Sequence, residues 1–303
     1  MTMKNGNTGK RKNLFPYLLI LPTLCFLGVF CFYPMIRGFG YSVTNYDRSY
    51  PGRYSFIGMK NFVEIFTEDR VFFTAVKNSV KWVAVEVVLQ LFFGMIFALI
   101  LNQKFKGRGL VRTFCFAPWA VSGVLTTMLW FLIYNEHIGL LNQVLGQLGL
   151  GSWQKAWVQN AGTAFRSVAL AELWRGIPFF TITLLGGLQT VPTELYESAR
   201  VDGGNAWKNF WLITLPFMKE SIVFATLMRS IWEFRSVDLI MTMTNGGPVR
   251  RTLTLPIYMY QESIESGKYG YGAALTVILF VILSFYTVIY LKANQFGNGV
   301  NDG

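Results

Sequence analysis

The chain has 303 residues, of which 52% are hydrophobic and only 14% charged, with a net charge of +11 and a mean hydropathy of +0.38. Soluble domains have about a quarter of their residues charged, so this composition excludes an ordinary soluble protein and describes a chain surrounded mainly by lipid. The positive charge does not describe a nucleic-acid binder, because the cations cluster beside apolar runs instead of covering one face.

Residues 1–13 read as a basic tail carrying Lys4, Lys10, Arg11 and Lys12. Residues 14–73 read as a first transmembrane helix and an outer loop. The apolar run at 15–36 has no charge. It is far longer than the ~7–15-residue core of a signal peptide, and no small-x-small cleavage pattern follows, so it reads as a retained span. Pro34 is expected to close it. The outer segment, 37–74, holds the turn residues Tyr50-Pro51-Gly52 and then an amphipathic stretch with Phe62, Ile65 and Phe66 on one helical face. It reads as a small cap on the membrane surface.

Residues 74–292 read as a core with five further spans. A helix needs roughly 20 apolar residues to cross the ~30 Å hydrocarbon core. The runs at 83–101, 113–135 and 273–291 meet that criterion with Glu86 as their only charge. The run at 163–188 is interrupted by Arg166, Glu172, Arg175 and Pro178, and the run at 221–244 holds several charges. The second and third spans are joined by a tight basic turn, Lys104-Phe105-Lys106-Gly107-Arg108-Gly109, followed by Arg112, with no acid in it. Short basic loops stay cytoplasmic, so this turn, the N-terminal tail and the C-terminal tail (293–303) are expected inside. A second outer segment, 136–162, is punctuated by Gly139, Gly146, Gly149 and Gly151. Asn245-Gly246-Gly247-Pro248 is expected to stop the fifth span, and Gly270-Tyr271-Gly272 leads into the last. No solenoid-period or inverted repeat is visible. The expected fold class is an all-α membrane protein of about six transmembrane helices.

Catalytic constellations are missing from the sequence. There is no GxxxxGK[ST] phosphate loop, so ATP is not expected to bind by that route. There is no HExxH and only one histidine, His137, too few ligands for zinc. No GxSxG elbow occurs. The span serines Ser122, Ser221, Ser230 and Ser284 have no histidine partner and read as bonding back to their own helices. Cys25, Cys31 and Cys115 lie in apolar runs without CxxC spacing and read as small buried hydrophobes.

The polar stretch at 189–217 is too elaborate for a simple connection. Pro192-Thr193-Glu194 reads as a helix start with Thr193 as cap and Glu194 in the first turn, where the helix dipole favours a carboxylate. Leu195 and Ala199 share a face, and Gly203-Gly204 ends the helix in a sharp bend. A second helix from Asn205 to about Ile213 sets Trp207, Phe210 and Trp211 largely on one side, and Pro216 is expected to end it. Such an amphipathic pair fits either a docking surface or a headgroup-level helix pair.

Glu197-Ser198-Ala199, Asp202-Gly203, and Ile213-Thr214-Leu215-Pro216 match, at the right spacing, the EAA loop of ATP-binding-cassette importer permeases. Ser198 and Gly204 stand where Ala is usual. Trp174-Arg175-Gly176-Ile177-Pro178-Phe179, Val237-Asp238-Leu239-Ile240 with Gly246-Gly247-Pro248, Gly270-Tyr271-Gly272-Ala273-Ala274 and Ile57-Gly58-Met59-Lys60-Asn61-Phe62 resemble further segments of the carbohydrate-uptake, maltose-type subfamily. The resemblance covers the chain from Phe15 to Lys292. It implies a type I importer permease fold in the inner membrane of a bacterium, paired with a second homologous permease subunit. It implies two separate ATPase subunits, which carry the ATP and Mg, and an extracytoplasmic substrate-binding protein that lands on the outer segments. Glu197, Ser198, Ala199, Asp202, Gly203, Ile213, Leu215 and Pro216 would form the ATPase-coupling helix. The chain itself would then be no enzyme and need no cofactor.

The charges inside the apolar runs are the candidate substrate path. A charge at mid-bilayer costs on the order of 2.5–3.5 kcal/mol on insertion scales, so it faces a cavity or a partner. Arg229 and Glu233 are spaced i, i+4, and Arg235 and Asp238 i, i+3, so each pair can meet on one helix face. Arg229, Trp232, Glu233, Ser236, Asp238 and Glu172 are the path candidates, with Trp232 available to stack on a sugar ring. The opposing reading is ion pairing that only holds the bundle together. Asp238 leans to that structural reading, while Arg229 and Glu233 are favoured for substrate contact. Glu86 is a similar, lesser candidate. The expected cargo is a di- or oligosaccharide; the alternatives are glycerol phosphate or a polyol in the same class of permease. A stand-alone ion-coupled transporter leaves the inner loop unexplained, and an intramembrane enzyme lacks its catalytic groups.

Overall fold

The computed structural model describes residues 15–50 and 52–294; the N-terminal cations Lys4, Lys10, Arg11 and Lys12, Pro51, and the tail beyond 294 lie outside the described residues. Among the described residues the architecture is helical throughout, with one isolated antiparallel bridge between Thr44 and Phe56.

Helix α1 (Phe15–Leu27) passes through a π-helical turn, Gly28–Phe32, into α2 (Tyr33–Ser42). Pro34 therefore does not close the first span. It sits in the first turn of α2, and the wider π turn before it absorbs the carbonyl that a proline leaves without a donor. No residue of α1 is buried by the rest of the chain. Cys25 and Cys31, on this first helical run, are exposed and Cys115 is half-buried, so the expectation of buried cysteines is corrected. The segment expected to cap the membrane surface follows. Asn61, at the start of α3 (Lys60–Thr67), donates through Nδ2 to the carbonyls of Ser42 and Thr44 at 2.8 and 2.9 Å. Ile65 is fully buried beneath α3, while Phe66 stays 53% exposed.

Helix α4 (Arg70–Asn102) has 33 residues, about 50 Å at ~1.5 Å per residue, so it extends beyond the hydrocarbon core. Asp69 caps it by accepting from the backbone of Val71 and Phe72 at 2.8 and 3.0 Å. The third apolar run does not form one span. It breaks into α5 (Arg108–Ala120) and α6 (Gly123–Ile133), bent by 98°. Pro118 removes a backbone donor near the end of α5. Val121 and Ser122 are extended, and the Ser122 hydroxyl accepts from Leu125 N at 3.4 Å to start α6 afresh. From within the short α7 (Leu140–Gln147), Asn142 ties the segment at 136–162 together. It donates to the Glu136 and Lys155 carbonyls at 2.9 and 3.1 Å and accepts from Trp157 Nε1 at 2.7 Å.

Helix α8 (Ala164–Gln189) runs unbroken through Arg166, Glu172, Arg175 and Pro178. It is the centre of the bundle and packs along α4 at close range. Gly94 lies against the Phe180 backbone and Cβ, and Gly176 lies against the Gln90 side chain, so a Cβ at either glycine overlaps its neighbour.

The polar segment at 189–217 begins with α9 (Thr193–Val201). Pro192, not Thr193, holds the cap position, and no side chain caps this helix. Gly203 ends it at φ +76°, with its N–H on the Arg200 carbonyl at 3.2 Å and that of Gly204 on Ala199 at 2.7 Å. Asn205 caps α10 (Ala206–Asn209) by accepting from Lys208 N at 2.9 Å. A π turn (Phe210–Thr214) and α11 (Leu215–Phe217) carry the chain to α12 (Lys219–Phe234) through a bend of 66°. Pro216 is thus in the first turn of α11. It turns the path toward the membrane instead of ending a helix. The fifth span breaks again after Phe234 and resumes as α13 (Asp238–Thr244). The α14 helix (Leu255–Tyr260), a π turn at Gln261–Glu265 and α15 (Tyr269–Ala293) complete the chain. Among the described residues four helices are long and apolar enough to cross a membrane, or up to six spans when each bent pair counts as one.

Candidate functional site

The intramembrane charges converge on one network across α4, α8 and α12. Glu172 sits at its centre, 1% exposed. Arg175 chelates it with Nε and Nη2 at 3.0 and 2.9 Å. Arg229 Nη2 lies 2.7 Å from both Glu172 Oε1 and Glu233 Oε1. Arg229 Nε donates to Gln90 Oε1 at 2.6 Å, and Gln90 Nε2 donates to Glu86 Oε2 and Glu233 Oε1 at 2.9 and 3.1 Å. Trp82 Nε1 donates to the second oxygen of Glu233 at 2.8 Å. Charges this deep persist only when paired and hydrogen-bonded. Arg229, Glu233, Glu172, Glu86 and Gln90 are all buried.

Above the network opens a cavity of about 290 Å³ lined by Glu172, Arg175, Arg229, Trp232, Glu233, Arg235, Ser236, Val237 and Asp238. All six sequence-selected path residues reach it. They do so unequally, because Arg229, Glu233 and Glu172 form its floor with their polar atoms committed to one another. Trp232 is 39% exposed, its ring 4.8 Å from that of Phe179, and presents an aromatic wall. Arg235 and Asp238 are exposed and Ser236 half-buried. The expected Arg235–Asp238 pair does not form. The spacing argument assumed an unbroken helix, but α12 ends at Phe234 and helix resumes only at Asp238.

The break between α12 and α13 lines this cavity, and the break between α5 and α6 comes close to two of its lining side chains. A Cβ on Gly123, the first residue of α6, would lie 3.7 Å from Arg175 Nη1 and 3.8 Å from Asp238 Oδ2. The start of α6 therefore forms the side facing the α12–α13 break. Irregular backbone at membrane depth is tolerated where it lines a cavity, and such broken helices mark binding sites in transport proteins. Sequence reading missed Trp82, Gln90 and Gly123. A signal for the first two was present: Trp82, Glu86 and Gln90 stand at i, i+4 and i+8, one polar-capable stripe on an apolar helix.

At the other end of α8 and α12 the coupling candidates lie together on α9, α11 and their connections. Glu197, Ser198, Asp202, Gly203 and Pro216 are exposed; Ala199, Ile213 and Leu215 are half-buried. Tyr196 and Thr214 hydroxyls bond at 2.9 Å and fix α9 against the following turn. Large apolar side chains surround this ridge uncovered: Val201 is 89%, Leu212 74% and Trp207 70% exposed.

Residues 90–295 match the family described as binding-protein-dependent transport system inner membrane component. The chain is 34% identical over 297 residues to the trehalose/maltose transport system permease protein MalF of Thermococcus litoralis, covering 97% of this chain and 99% of that one. It is 33% identical to the arabinooligosaccharides transport system permease protein AraP of Halalkalibacterium halodurans, over 91% and 86% of the two chains. Its fold is similar, at a TM-score of 0.80, 22% identity and 95% coverage of both chains, to a chain in the crystal structure of a bacterial alginate ABC transporter in complex with an alginate pentasaccharide-bound periplasmic protein.

Proposed function

The chain belongs to the family of binding-protein-dependent transport system inner membrane components, and on that premise we propose that it is one permease subunit of an ATP-driven carbohydrate importer. The observation that carries this reading is the polar cavity at the break in the fifth span, joined by α8 and α12 to an exposed, apolar helical ridge at the opposite end. The cavity forms part of the sugar path, with Trp232 stacking on a sugar face and Arg235, Ser236 and Asp238 bonding to hydroxyls. The network of Glu172, Arg175, Arg229 and Glu233 keeps that wall in place. The lining carries three cations and three anions, a balance that favours a neutral di- or oligosaccharide over a phosphate.

The ridge of α9–α11 seats in a separate ATPase subunit, and the complex comprises this chain, a second permease, two ATPase subunits and a binding protein. Both termini and the ridge face the cytoplasm; α3, α7 and the segment after α13 face out. Hydrolysis occurs on the ATPase chains, and this chain transmits their motion. Gly203 is the position that tests the reading. It is exposed at φ +76°, with no neighbour to clash. Gly203→Asp strains the turn beyond α9 and adds a charge to the ridge. The expected outcome is a complex that assembles in the membrane but hydrolyses ATP without moving sugar. Normal uptake by Gly203→Asp, or purification of an active transporter with no ATPase subunit bound, refutes the assignment.

A further inference from the structure

A cleft of about 960 Å³ opens between the end of α4 and the α9–α11 ridge, and it shares no lining residue with the charged cavity. Cavities that hold drug-sized ligands span ~300–1,000 Å³, so this one has room for a long apolar chain. One wall is a single face of α4, where Phe92, Ile96 and Leu99 stand at i, i+4 and i+7. The other is aromatic. The Trp211 ring lies 5.8 Å from that of Trp207 and 5.3 Å from that of Phe210. Tyr196 and Thr214, joined through their hydroxyls, also line the cleft, so its contents fill the space behind that joint.

Along α4 the lining turns polar only at the end, at Asn102 and Gln103. Phe92 lies about 15 Å back from Asn102 at ~1.5 Å per residue. That is about half of the ~30 Å hydrocarbon core, the depth to which an acyl chain reaches. Arg200 of α9 is the one charged residue in the lining. Among the described residues it has no ion-pair partner, and its chain neighbours Glu197 and Asp202 neither pair with it nor line the cleft. Lys104 follows Gln103 and Lys208 follows Trp207; both are exposed and without an ion-pair partner among the described residues. The edge of the cleft is therefore positive.

We propose that this cleft binds one anionic phospholipid. An acyl chain lies along Phe92, Ile96 and Leu99, and the phosphate meets Arg200 beside the amides of Asn102 and Gln103. Trp207 and Trp211 suit the level between tails and headgroup. The α4 wall belongs to a span. Backbone polar groups of a soluble partner find no donors or acceptors beside such a wall, whereas an acyl chain needs none. The positive edge favours a headgroup of net negative charge. The proposal goes beyond the importer reading and draws only on the membrane setting and the cleft.

The test uses the complex purified with its partner chains, in phosphatidylcholine nanodiscs doped with a phosphatidylglycerol that carries a diazirine at one acyl-chain end. After irradiation the labelled peptides are mapped by mass spectrometry. Neither ATP nor sugar is added, so the result is independent of transport. Labelling within residues 92–99 is expected to exceed that by the phosphatidylcholine form of the same probe about fivefold at low salt. Arg200→Gln, a surface change that leaves the fold intact, brings the two probes level, and Arg200→Lys restores the preference. Ile96→Trp fills the cleft from the α4 side and reduces labelling by both probes. Equal labelling of the wild type by the two probes overturns the proposal, as does a preference that survives Arg200→Gln. A complex without label at 92–99 also overturns it and assigns the cleft to a protein partner.

Discussion

Glu172 shows how much rests on single residues in this chain. It neutralises two guanidiniums at once, Arg175 and Arg229, from a site that is 1% exposed. Glu172→Ala leaves both cations without it, and breaking a buried pair costs about 3–5 kcal/mol, comparable with the whole stability of many domains. The expected outcome is a marked drop in the thermal-unfolding midpoint of the purified complex, with Glu172→Gln much milder because it keeps the shape and one acceptor. Asp69 is a second such residue, outside the spans. Burial pushes its carboxyl up, but bonds from the Tyr271 and Tyr258 hydroxyls and from the backbone of Phe72 and Val71 more than offset this and hold it below its ordinary value. A carboxyl lowered on folding stabilises the protein above its unfolded value and loses that contribution as pH falls through the folded one. The stability difference between wild type and Asp69→Asn is therefore expected to persist near neutrality and to shrink below about pH 4. A difference that stays constant from neutral to acid pH would rule this out. At this scale the sequence was partly legible: the i, i+4 spacing of Arg229 and Glu233 announced a pair that forms at 2.7 Å. The Trp82 and Gln90 bonds that complete it join residues 151 and 143 positions away, a separation that no local pattern encodes.

Elements were readable where apolarity alone defines them and unreadable where they break. The first, second, fourth and last spans fall on continuous helical runs. The third and fifth divide at Val121–Ser122 and Arg235–Val237, because an extended residue pair and a lost turn are stabilised by what surrounds them, the cavity and its charges. Pro34 and Pro216 looked like terminators, yet each sits in the opening turn of a helix that continues the path, where a missing N–H is tolerated. The α4–α8 seam depends on small residues. Gly176→Leu forces a side chain into the space of Gln90, and overpacking a tight core typically costs about 1–3 kcal/mol. Because Gln90 also holds Arg229, transport is expected to fall well beyond the loss of stability. Parallel assays of uptake and thermal unfolding on Gly176→Ala and Gly176→Leu check this; equal losses in both assays would make the seam only structural.

Across the whole molecule, the chain places a charged cavity at the break in its fifth span and an exposed apolar ridge at the other end of α8 and α12. The sequence by itself determined the membrane setting, through long apolar runs, and the helical ridge at 193–217, through glycines and amphipathic spacing that act locally. It also named the family, because the inner motif is contiguous. Only the tertiary structure decided which intramembrane charges are committed to one another and which remain open to the cavity. It alone placed Gly123 beside Asp238 and joined Asn78 of α4 to the carbonyls of Arg250 and Leu253. Those outcomes depend on groups far apart in the chain coming within a few ångströms, and hydrogen bonds and ion pairs act only at that range.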